Sequence, residues 1–212
     1  MGIFLGTTWR LHPDLCEFIS GAVYDDKLQA EASAASRLVK SVAGARGLIL
    51  KEAGIVFVPV AHEGNGQASD EEVDTIAAII RDLRGRELTG TTGERARRAS
   101  TLDENDILVV APYNMQVRAL RAALPNVRVG SVDKFQGQEA PVVIVSMCAS
   151  SGDASPRGID FLFSPNRLNV ALSRAQSLAV VVGCPDLART RVRSVPQMKL
   201  VNLFCRIVEE GG

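Results

Sequence analysis

Three short segments gather the residue types that grip anions and stack on flat rings. The first, Thr8-Trp-Arg-Leu-His-Pro13, holds the only Trp of the chain beside an Arg. An exposed Trp offers a flat apolar face to a base, and an adjacent guanidinium offers a fork to a phosphate. The plain alternative is a packed Trp with a surface Arg, which these six residues by themselves favour. The second segment is Gly130-Ser-Val-Asp-Lys-Phe-Gln-Gly-Gln-Glu139. Gly137 permits close backbone approach to a ligand. Ser131 and Lys134 can hold a phosphate, and Glu139 can accept from a sugar hydroxyl. The alternative is a polar turn with a capped helix. The third is Asn166-Arg-Leu-Asn-Val-Ala-Leu-Ser-Arg-Ala175. On a helix Arg167 and Arg174 share a face about two turns long, with Asn169 and Ser173 on a neighbouring stripe. An Arg in an otherwise apolar helix must meet an anion, because burying it unpaired is very costly. A carboxylate within the fold is the alternative there.

These segments need a scaffold, and the apolar pattern supplies one. Five β-branched runs recur: Ile55 to Val60, Asp106 to Val110, Val127 to Val129, Val142 to Val145 and Leu178 to Val182. Continuous runs of this kind fit strands covered on both faces, as in parallel sheets. Helical patterns lie between them. Ser69 with Glu72 resembles a capping box and opens an amphipathic stretch through Leu83. Asn114 to Leu124 is a second helix, stopped by Pro125, and Pro165 to Ala175 a third. The alternation predicts an α/β open sheet with right-handed crossovers. Ligands are expected at the carboxyl ends of its strands. Residues 29–54 leave helix and loop open, and residues 85–103 read as a long exposed loop with solvated arginines. The tail predicts a closing helix over about 196–209.

Composition sets the outer bounds. The chain has 212 residues, 24 Lys+Arg against 24 Asp+Glu, and 46% hydrophobic residues. That suits one globular domain over 1–212 and excludes intrinsic disorder as its main state. A neutral total leaves only local patches for phosphates. No apolar run approaches the ~20 residues of a membrane span, and no secretory signal opens the chain. Cys16, Cys148, Cys184 and Cys205 are scattered among apolar neighbours and form no CxxC pair. They read as buried reduced thiols, which predicts a cytoplasmic setting. His12 and His62 are too few and too separated for a zinc site.

Taken in order, the three segments and Val109-Val-Ala-Pro-Tyr-Asn-Met-Gln116 resemble superfamily 1 helicases, in particular the second RecA-like domain of the Upf/Dna2-type branch. Trp9-Arg-Leu-His-Pro13, with Phe18-Ile-Ser20, Tyr24 and Leu28, resembles motif IV. Val109 to Gln116 resembles the "TPY…Q" element. Ser131 to Glu139 is similar to motif V, and Arg167 to Ala175 to motif VI. The resemblance spans residues 5–184. Phe57 to Ser69 also resembles bacterial chains in which this helicase is fused to a RecB-like nuclease.

The resemblance implies a three-layer αβα RecA-like domain of the P-loop NTPase type and an ATP-dependent motor on DNA or RNA. It implies that Arg10 and Arg174 are arginine fingers facing outward together toward a triphosphate. Trp9 would stack on the nucleotide base and Glu139 would contact the ribose beside Gly137. Gln136 would couple nucleotide state to the strand. Ser131, Pro112 and Tyr113, with Lys134, would line a single-strand path. The chain departs mildly from the pattern at Trp9, Leu11, Ser173 and Asn166. It lacks GxxxxGK[ST] and an apolar strand ending in Asp-Glu. In this family both belong to an N-terminal RecA-like domain, which would hold most of the ATP and its Mg²⁺. That domain and single-stranded DNA or RNA are the expected partners, with no membrane, and the chain by itself is expected to be inactive.

Overall fold

Strand formation follows the apolar runs closely. The computed structural model describes residues 5–41, 47–90, 100–135 and 137–212. Near the start, β1 (Thr7–Thr8) pairs in parallel with β2 (Gln29–Ala30). The central sheet contains β3 (Gly54–Pro59), β6 (Ile107–Val110), β7 (Arg128–Gly130), β8 (Ala140–Ser146) and β9 (Ala175–Gly183). Its order is β3-β9-β8-β6-β7, and every pairing is parallel. A separate antiparallel pair joins β4 (Glu87–Leu88) to β5 (Ser100–Thr101).

Alternate side chains on each strand feed opposite cores, as the two-residue period of a strand requires. Val143, Val145, Ala179 and Val181 point into one, with residues of α1 (Pro13–Val23), α5 (Pro165–Leu172) and α6 (Val195–Gly211). Val142, Ile144, Leu178 and Val180 point into the other, with residues of α2 (Asp70–Leu83) and α3 (Asn114–Ala123). Helices on both faces of one parallel sheet make the expected three-layer αβα domain. The short α4 (Ile159–Leu162) leads into α5.

Several local expectations change. Ser69 does cap α2, its Oγ accepting from the Glu72 N–H at 3.1 Å. Glu72 does not close the box: the Ser69 N–H donates instead to Gln116 Oε1 at 2.8 Å. The third helix ends at Leu172 rather than Ala175, because Ser173 caps it and Ala175 already belongs to β9. Arg174 therefore stands beyond the helix and shares no helical face with Arg167. Residues 85–103 are not simply a loop, since β4 and β5 close their two ends. Arg86 is not solvated either. It is 4% exposed, and its Nη2 donates to Asp82 Oδ2 at 2.7 Å and to the Ile49 carbonyl at 2.9 Å. Arg95, Arg97 and Arg98 of that stretch lie outside the described residues. Within 29–54 the described chain forms β2, a 3₁₀ turn at Ala32–Ser36 and extended segments rather than a helix. The four cysteines are free thiols; three are buried and Cys205 is half-buried. Among the described residues, no helix is long and apolar enough to cross a membrane.

The parallel sheet gives the domain two distinct edges. β8 and β9 begin side by side, Ala140 opposite Ala175, so Glu139 and Arg174 sit at the amino edge. β6 and β7 end at the carboxyl edge, which carries Pro112, Tyr113 and Ser131.

Candidate functional site

Motif IV reaches the amino edge through backbone bonds. The His12 N–H donates to the Gln176 carbonyl at 2.8 Å, tying the segment to the start of β9. His12 also starts α1: its Nδ1 accepts from the Asp14 N–H at 3.2 Å, and Pro13 fits the first helical position. Trp9 and Arg10 are thus held just ahead of a helix start. Trp9 is 69% exposed, so the packed alternative does not hold. Thr7, Thr8, Trp9, Arg10, Arg37, Glu139 and Gln176 line an open groove of about 410 Å³.

Arg10 comes close enough to Arg174 for their charges to interact, although Arg174 does not line the groove. Arg10 Nη1 donates to the Ser173 carbonyl at 3.3 Å, one residue from Arg174. Arg10 Nε donates to Glu139 Oε2 at 2.5 Å, and Glu139 Oε1 accepts from Gln176 Nε2 at 2.8 Å. Arg10 is therefore ion-paired within the domain, at a site where both side chains remain over a third exposed. Glu139, expected to be open for a sugar hydroxyl, has both oxygens engaged. Arg174 is different. Its Nε is buried with no hydrogen-bond partner. Burial and the repulsion of Arg10 lower its pKa, and the Glu139 charge opposes them. Burial would raise the Glu139 pKa, but hydrogen bonds from Arg10 and Gln176 and the charges of Arg10 and Arg37 hold it below the ordinary carboxylate value.

The expected location at the carboxyl ends is thus incorrect for these residues. Parallel register puts Glu139 and Arg174 at the opposite edge, where two connections descend to start new strands. The motif V segment spans both edges. It leaves β7 at Ser131, passes through a 3₁₀ turn at Val132–Phe135 and reaches Glu139 at the start of β8. Gly137 has a φ of +80°, where a β-carbon is strained, and open space around it. Gln136 lies outside the described residues.

At the carboxyl edge, Pro112 and Ser131 are half-buried and Lys134 is exposed. Lys134 Nζ contacts the Val129 carbonyl at 3.4 Å. Tyr113 is not an exposed wall. It is 5% exposed, and its hydroxyl is bonded to Ser155 Oγ at 2.5 Å. The ring supports the edge from beneath because the apolar core on that face claims it.

Two features escaped sequence reasoning. Arg37 Nη1 donates to the carbonyls of Trp9 at 2.7 Å and Arg10 at 2.6 Å, clamping the motif IV turn. No local pattern marks it, because its partners lie 28 and 27 residues away. The second is a buried network. Glu72 accepts from Ser146 Oγ at 2.6 Å and from the Cys148 N–H at 2.9 Å, and contacts His62 Nε2 at 3.1 Å. His62 Nδ1 meets Ser150 Oγ at 2.8 Å, and Gln116 Nε2 donates to Ser146 Oγ at 3.0 Å. The signal was an acidic residue on the apolar side of the α2 pattern.

The donor set suits an anionic group carrying a flat ring: cationic forks, an exposed indole and one orphaned buried N–H. It does not suit a metal ion. Among the described residues, no cluster of three His, Cys, Asp or Glu side chains could hold one.

Comparison with known proteins agrees with this reading of the motifs. A family model described as an AAA domain matches residues 2–186, and the chain belongs to that family. DNA polymerase alpha-associated DNA helicase A of Saccharomyces cerevisiae is 29% identical over 189 residues, covering 85% of this chain and 27% of the relative. DNA-binding protein SMUBP-2 of Rattus norvegicus is 30% identical over 182 residues, covering 84% of this chain and 18% of the relative. The 3'-5' exoribonuclease HELZ2 of Mus musculus is 31% identical over 208 residues, covering 85% of this chain and 6% of the relative. The chain thus spans about a quarter or less of the length of these curated relatives. With motifs IV to VI in order on a parallel αβα sheet, it is a superfamily 1 helicase domain of the C-terminal type.

Proposed function

We propose that this domain works as the second lobe of an ATP-driven nucleic-acid motor. Arg10 and Arg174 act as arginine fingers on ATP held, with its Mg²⁺, by an N-terminal RecA-like domain. Trp9 stacks on the base. Guanidinium charge compensates the negative charge spread over the transferring phosphoryl oxygens. Single-stranded DNA or RNA runs along the opposite edge past Pro112, Ser131 and Lys134, gripped without sequence readout. The motif V segment, including Gln136, joins the two edges and couples nucleotide state to strand position. The 212-residue chain hydrolyses no ATP by itself.

One observation carries the reading: Arg174 is held half-buried beside a second arginine, with its Nε unpartnered. Such an arrangement costs free energy in the free domain and favours an arriving anion. Arg10 leaves Glu139 for the triphosphate when the lobes close, and Glu139 is then released toward the ribose. The Arg10–Glu139 pair also favours a second reading, a non-catalytic module in which that pair is permanent.

The test uses the protein together with its N-terminal domain. Arg10→Ala and Arg174→Ala are each expected to lower kcat about 10³-fold or more while KM for ATP changes little, as for groups that act in the transition state. Equal loss in kcat and nucleotide affinity contradicts the finger role. Unchanged kcat in both variants favours the non-catalytic module.

A further inference from the structure

The carboxyl edge holds a cationic and aromatic cluster beyond Pro112, Ser131 and Lys134. Arg157 Cζ lies 4.0 Å and Arg167 Cζ 4.3 Å from the centroid of the Phe161 ring. The Tyr113 ring packs 5.2 Å from the same centroid. Phe161, Arg167, Pro112 and Val132 line one small apolar cavity of about 20 Å³ between the ends of β6 and β8. Arg157 is exposed, and Arg167 and Phe161 are half-buried.

Two positive charges over one ring repel each other, so the ring alone does not neutralise them. A surface arginine ordinarily spends its forks on carboxylates. Here neither Arg157 nor Arg167 has an ion-pair partner among the described residues. Stacking holds a guanidinium flat while leaving its N–H edge free, the geometry that suits bidentate contact with a phosphate. The place is also apt. Arg167 stands in the first turn of α5 at the edge that carries Pro112, and the far end of that helix leads through Ser173 to Arg174. One eight-residue helix therefore connects this cluster to the opposite edge.

We propose that Arg157 and Arg167, ordered by stacking on Phe161, form a phosphate grip on the backbone of a single strand passing Pro112 and Ser131. The inference rests on the strand-binding reading above and adds residues to it. Phosphodiester is the chemistry recognised, so DNA and RNA are both accepted.

The test is fluorescence anisotropy with labelled oligothymidylate and oligouridylate of equal length, titrated with the 212-residue chain over a series of salt concentrations. Each phosphate contact adds about 0.7 to the slope of log affinity against log salt for a single strand. Arg157→Ala and Arg167→Ala are each expected to reduce that slope by about 0.7 on both oligomers, and Arg157→Glu to weaken binding at least tenfold. Arg157 is exposed, so its variants read binding with the fold intact. Wild-type binding that both alanine variants leave unchanged in affinity and slope overturns this inference alone. Failure of the wild type to bind either oligomer overturns the strand-binding reading, and this inference falls with it.

Discussion

Glu139 and Arg174 are neighbours because two strands start together: the Ala140 N–H donates to the Arg174 carbonyl at 3.1 Å, with Ala140 in register with Ala175. Residues 35 positions apart in the chain are thereby fixed at one sheet edge by the backbone. Arg10 enters from a third segment and bonds to Glu139 and to the Ser173 carbonyl. A carboxylate beside two guanidiniums lowers their mutual repulsion in the free domain. Exchange of that carboxylate for a triphosphate is the event on which the proposed motor turns.

The Arg10–Glu139 pair gives a pH dependence with a defined sign. Glu139 titrates below the ordinary carboxylate value, so the pair contributes stability above the unfolded pKa of about 4.3. That contribution is lost as the pH falls through the folded pKa. Urea unfolding should find Glu139→Gln less stable than wild type at neutral pH. The difference should shrink as the solution is acidified below about pH 4. A gap that widens on acidification contradicts the pairing.

Arg37 positions Trp9 and Arg10 through two carbonyls. Arg37→Ala is expected to cost roughly 1 kcal/mol in urea unfolding, since the bonds are partly solvated. In the protein with its N-terminal domain, kcat should fall while nucleotide affinity holds, and Arg37→Lys should recover part of it. An effect on unfolding alone makes Arg37 structural only.

Glu72 is fully buried with His62, Ser146 and Cys148 around it. Glu72→Ala strands two donors and a histidine in the interior, and the expected loss is about 3–5 kcal/mol. Chemical denaturation measures it. A loss under 1 kcal/mol would mean that water or rearrangement satisfies those groups. The network also ties α2 to the carboxyl end of β8, so the variant should loosen the strand edge.

Trp9 is exposed and contributes little to the core. Trp9→Ala should change unfolding free energy by no more than about 0.5 kcal/mol. It should weaken nucleotide binding by the protein with its N-terminal domain. A large loss of stability would instead mark Trp9 as a packing residue.

The layers of this fold were legible because continuous β-branched runs and helical periodicity act locally. The Ser69 cap of α2, the Pro125 stop of α3 and the strand-forming runs all follow from neighbours a few residues away. The residues of the candidate site were legible by type and order. Their placement was not. Glu139 and Arg174 meet through strand register, Arg37 reaches Trp9 across 28 residues, and Glu72 exchanges a capping role for a buried network. Long-range pairings of this kind carry no periodic signal. The Phe161 cluster was hidden for the same reason: Arg167 was visible, but the ring that holds it flat lies in a separate short helix.

The most direct measurement is capture of ADP with aluminium fluoride, a mimic of the transferring phosphoryl group, by the protein with its N-terminal domain. Two guanidiniums that act on the transition state predict tight capture by the wild type. They predict loss of at least a hundredfold in that affinity for Arg10→Ala and for Arg174→Ala, with ADP binding unchanged. Equal capture by wild type and both variants would contradict the account.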